Sequence, residues 1–130
     1  MRTFASILIL AGLAGGPAFA TCVYPKAPAN IPDGSTATLK QMLAGMATLR
    51  TYNSQIKAYT DCLKLEHDTA LAKTDPSKMS SDQKKAYAKQ KAELDNVLIQ
   101  KNDAAVDEAT AVTKRFNAQV EIYKSKHKKN

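Results

Sequence analysis

Two cysteines, two histidines, a set of tyrosines and a lysine-rich end are the residues of this 130-residue chain that could do chemistry. Cys22 and Cys62 enclose a loop of about 40 residues, and in an oxidising compartment two such cysteines pair. The alternative is two free thiols. A bond closing a loop of that length stabilises a fold by roughly 4 kcal/mol in the chain-entropy model. His67 stands between Glu66 and Asp68, yet neighbours on a helix point in different directions. A metal-ligand set needs four-residue spacing. His127 falls in the tail. No serine lies in a nucleophile elbow, and there is no glycine-rich phosphate loop. The reading is therefore no catalytic residue, no cofactor, no metal and no enzyme. Tyr24, Tyr52 and Tyr59 are expected to be packing surface rather than a ligand platform. Lys124, Lys126, Lys128 and Lys129 make a cationic end. It either complements a helix macrodipole or meets an anionic surface.

The elements that must position these residues begin after a leader. Met1 and Arg2 are followed by an apolar run, Phe4 to Ala14, a Gly15-Gly16-Pro17 break and Ala18-Phe19-Ala20. This is the pattern of a secretory signal peptide over residues 1–20, with cleavage expected after Ala20. The run is shorter than the roughly 20 residues that span a bilayer. The chain carries a formal net charge of +7, and losing the leader removes only Arg2 from the charged set. A basic, exported chain is expected in the periplasm or outside the cell. Its partners there are anionic lipid or a protein client, and nucleic acid is not expected.

Residues 21–34 hold Pro25, Pro28 and Pro32, so they must be extended, near polyproline II. Pro32-Asp33-Gly34 reads as a turn, with Asp33 or Ser35 capping the helix after it. Helices are predicted over 36–73 and 81–126, broken by Thr74 to Lys78 around Pro76. Steps of three and four from Leu39 run through Met42, Met46, Leu49, Asn53, Ile56, Thr60, Leu63, His67 and Ala70, a coiled-coil-like seam. The polar members recur each heptad and are expected at the seam's edge, in water. A second stripe, including Ala44, Gly45, Thr48, Tyr52, Tyr59 and Cys62, is small above and aromatic below. It is assigned to the arm. The extended path from Cys22 to Ser35 and the helical path from Ser35 to Cys62 are each about 40 Å, so the sulfurs can meet.

The second helix opens on a capping box, Ser80 with Gln83. It turns Tyr87, Leu94, Leu98, Ala105, Ala109, Val112, Phe116, Val120 and Tyr123 inward, with Lys101 interrupting. Val97, Ile99 and Val106 widen the stripe and predict a second neighbour, either the arm or another subunit. The fold class is all-α: an antiparallel two-helix hairpin with an extended N-terminal arm disulfide-tied to the first helix. Folding about Ser77 sets Leu63 near Leu94 and Leu39 near Phe116, and leaves the last turns of the second helix, with the basic tail 127–130, projecting.

Ile31-Pro32-Asp33-Gly34, then Tyr59-x2-Cys62-Leu63 after an arm bearing Cys22, resembles small exported proteobacterial proteins with a proline-rich arm. The resemblance covers residues 22–66 and implies no activity and no functional residues. A looser similarity is to periplasmic holdase chaperones with basic helical-hairpin arms. Those arms rise from a small β-sheet core, for which this chain has no strand-like segment. The functional expectation is a self-associating helical binding or structural protein. The alternatives are a holdase-like chaperone and an envelope protein docking on anionic surfaces through its tail.

Overall fold

The computed structural model describes residues 21–128. The leader assigned to residues 1–20 and the tail residue Lys129 lie outside them. Two helices, α1 (Leu39–Ala72) and α2 (Ser81–His127), are joined through a short 3₁₀ turn (Pro76–Lys78) and pack as an antiparallel hairpin. No helix among the described residues is long and apolar enough to cross a membrane.

The helix starts are set by capping chemistry. At α1 it is Thr38, not Asp33 or Ser35, that caps: its hydroxyl accepts the Gln41 N–H, and its own N–H donates to Gln41 Oε1 at 2.7 Å. A box of this kind satisfies two orphan donors, one more than a lone cap, and so fixes the start. Asp33 instead closes a separate turn, accepting the Ser35 N–H at 2.8 Å and its hydroxyl at 2.7 Å. The same device recurs past the other end of α1. There Asp75 accepts the Ser77 N–H at 2.9 Å and its hydroxyl at 2.6 Å. Ser80 and Gln83 form the expected box at the start of α2.

The helices meet in a register nearly two turns away from the one the sequence predicts. Phe116 lies against Gly45 rather than Leu39, because a Cβ added to Gly45 would be 2.9 Å from the Phe116 ring. Leu39 is 58 % exposed. The notch left by the glycine accepts the largest apolar side chain of α2, which is the closer fit. With this register the surplus length of α2 falls at its beginning, where residues 81–93 are exposed apart from Tyr87. Its last turns do not project freely. A Cβ on Gly34 would be 2.9 Å from the Tyr123 nitrogen, and Lys126 Nζ donates to the Ser35 carbonyl.

The arm is not laid on α1 alone; it lies in the groove between both helices. Pro28, Ile31 and Pro32 meet Gly45 and Leu49 of α1 and Val112 and Phe116 of α2 around a void of only about 10 Å³. Cys22, Ala27 and Ile31 pack on the buried cluster of Tyr52, Ile56, Tyr59, Leu63, Ala105 and Val112. Tyr52 and Tyr59, expected on a face beside the core, are therefore part of it. Cys22 and Cys62 are bonded, with Cα atoms 5.8 Å apart.

Gly34 is buried where the arm turns. Its φ is not positive; what demands glycine is space, since a Cβ there would sit 2.0 Å from the Gln119 carbonyl oxygen. Backbone cannot yield as a side-chain tip can. Gly34→Ala is expected to cost about 1–3 kcal/mol by overpacking. Gly45→Ala, whose nearest contacts are ring atoms of Pro32 and Phe116 at 2.7–2.9 Å rather than carbonyl and amide atoms, should cost less. Urea denaturation of the two variants tests the order.

Candidate functional site

The polar chemistry of the described residues gathers at two places along the interhelical groove. The first surrounds the disulfide. Tyr24 stands edge-on to Tyr59, ring centres 5.0 Å apart, and its hydroxyl donates to the Glu108 carboxylate of α2. Partial burial, then that hydrogen bond, push the Tyr24 phenol up from its ordinary value. On the sulfur side the Cys22 N–H donates to Glu66 Oε1 at 3.1 Å. The arm is thus fastened to α1 by sulfur and a carboxylate, and to α2 by a tyrosine. Farther along, the Gly34 N–H donates to Gln119 Oε1 at 2.9 Å.

Tyr52 lies between these fastenings, 2 % exposed, and its hydroxyl has no hydrogen-bond partner. Burial raises its phenol pKa; the nearby Glu108 charge adds to that, and Arg115 opposes it.

The second place is the junction nearer the connector. His67 Nε2 lies 2.7 Å from Asp95 of α2, and its Nδ1 lies 3.2 Å from Asp68. Asp95 also accepts Lys91 Nζ at 2.6 Å. Donating to both carboxylates requires the doubly protonated ring. Asp95 first, and then Asp68, accordingly raise the His67 pKa. Of the three polar seam residues only Asn53 is exposed to water as expected. Thr60 is half-buried and donates to its own helix at Lys57 O, 2.9 Å. His67, with its side chain 13 % exposed, crosses to the partner helix. Its reach toward Asp95 depends on the register of the hairpin. Beside it Leu63, Ala70, Leu94, Val97 and Leu98 line an open groove of about 250 Å³.

Of the sequence-predicted residues, Cys22, Cys62, Tyr24 and Tyr59 come together, with Tyr52 in the same packed cluster. The three described tail lysines each make a bond within the chain. Lys124 pairs with Glu121 at 2.9 Å, Lys126 reaches the Ser35 carbonyl, and the Lys128 backbone N–H caps Lys124 O. His127 stacks on Tyr123 at 4.1 Å. Val97 parts from Ile99 and Val106: at 100° per residue those two share a face, seven apart, while Val97 turns toward the groove. Glu66, Glu108, Asp95 and Gln119 were missed by sequence reasoning. Glu66 lies one turn beyond Cys62 on the arm's stripe, a spacing that could have pointed to it. Glu108 had no such signal.

Two measurements test these placements. Tyr52→Phe removes a buried hydroxyl that bonds nothing, so the variant should match or exceed the parent in stability, by up to about 1 kcal/mol in urea denaturation. His67 has a folded pKa above the unfolded value of 6.5. Its contribution is therefore fully present below that value and is lost as pH rises through the folded pKa. The urea midpoint should fall as pH rises from about 6.5 through the folded pKa, and His67→Gln should flatten that fall. Comparison of the chain with protein-family models, with curated proteins and with solved structures gave no match.

Proposed function

We propose that this is a non-enzymatic, periplasmic or secreted helical binding or structural protein that associates with copies of itself. The observation that carries this reading is the face of α2 turned away from the arm. Glu108, Arg115 and Gln119 mark the arm side of that helix. Ile99 and Val106 lie about half a turn round from them. They are 55 % and 47 % exposed. Aligned apolar side chains one heptad apart on an open helix face are what an antiparallel helix of another copy would cover. Among the described residues the polar clusters serve as fastenings between elements: Glu108 holds Tyr24, Glu66 holds Cys22, and Asp95 holds His67. That use supports a structural rather than a catalytic role. The disulfide and the leader-like residues 1–20 support export.

A holdase-like role has one specific support, the apolar groove at Leu63, Leu94 and Leu98 left open beyond the start of the arm. Docking on anionic lipid through the tail has less, because Lys124 and Lys126 are already engaged within the molecule.

Sedimentation equilibrium tests the leading reading. The parent should associate, and Ile99→Glu with Val106→Glu should give a monomer of unchanged helicity. A parent that stays monomeric at high micromolar concentration overturns it. Suppression of client aggregation by such a monomer would favour the holdase.

A further inference from the structure

Cys62 and Glu66 are four residues apart on α1, one turn, so their side chains leave the same face. The arm brings Cys22 to that face. The two sulfurs and a Glu66 oxygen lie within 4.8 Å of one another, and all three residues are half-buried. The carboxylate is already oriented, since Oε1 accepts the Cys22 N–H at 3.1 Å, which leaves its second oxygen for another partner. In the oxidised protein the sulfurs are bonded to each other and neither is a thiolate.

We infer that reduction of the Cys22–Cys62 disulfide creates a metal site in which both thiolates and the Glu66 carboxylate bind a thiophilic divalent cation, with Zn²⁺ the fitting class. The reductant is a dithiol. Thiol–disulfide exchange breaks the Cys22–Cys62 bond, leaves the dithiol as a disulfide, and gives the protein two thiols with the two electrons and two protons transferred. The cation then displaces both thiol protons to water. Thiolates on tetrahedral zinc, at about 2.3 Å from the metal, stand roughly 3.8 Å apart. The Cα separation of 5.8 Å accommodates that spacing by side-chain rotation. Two sulfurs and one oxygen leave the fourth position to water. The cation would hold the arm on α1 in place of the sulfur–sulfur bond, so that the arm stays fastened in either redox state. This inference does not depend on self-association.

The test uses the whole folded protein, reduced with a phosphine under nitrogen. Titration with Co²⁺ should give a one-to-one thiolate-to-cobalt charge-transfer band, displaced by Zn²⁺, while the oxidised protein should give none. Zn²⁺ should raise the thermal midpoint of the reduced form. Glu66→Gln keeps an acceptor for the Cys22 amide, so the oxidised variant should melt with the parent. Its reduced form should bind Zn²⁺ at least about tenfold more weakly in competition with a chromophoric chelator. A reduced parent without the cobalt band, or a Glu66→Gln variant that binds Zn²⁺ as tightly as the parent, overturns the inference.

Discussion

Two antiparallel helices pressed together leave a furrow along each side of their contact, and a chain this small cannot leave apolar side chains open in it. Filling one furrow with an extended segment is the constraint on which the rest of this molecule depends. Tyr52 and Tyr59 are buried because the arm covers them from one side while α2 covers them from another. Without the arm, fewer of the described side chains would be buried and the hairpin would approach the marginal stability of an isolated helix pair. The covalent link matters in that setting because it limits the unfolded ensemble when the folded state has little to spare.

The fastenings differ in kind along the arm. Where the arm begins, a disulfide, a carboxylate and a tyrosine pair act together. Where it turns, main chain lies close against main chain, Gly34 fits because it has no side chain, and Gln119 and Lys126 bond the arm's backbone. Between them, three prolines supply an extended conformation that needs little ordering. The unpartnered Tyr52 hydroxyl sits in this middle stretch. There the apolar ring does the packing, and the oxygen has no compensating partner.

Much of this architecture was legible. Pro76 between two apolar periodicities marks a hairpin, Ser80 with Gln83 marks its second helix, and matched path lengths bring Cys22 to Cys62. The register was less so. The rule that large meets small was sound, but connector length pulled the alignment toward Leu39, and the glycine that Phe116 fills lies six positions farther on. Thr38 with Gln41 was as readable as Ser80 with Gln83, yet Asp33 and Ser35 nearby are equally good capping residues and compete with it. Glu108 and Asp95 could not be read as fastenings. Each looks like an ordinary surface acid until the tertiary register sets Tyr24 or His67 opposite.

The position of the sulfur bond also decides how the molecule bears load. Cys22 stands at the start of the arm, and its bond leads to a point 40 residues farther along the chain. A pull applied ahead of Thr21 therefore passes through sulfur straight into the body of α1. The arm, its turn and the first two-thirds of that helix lie outside the path of the tension, so the pull reaches them only through their packing on α2.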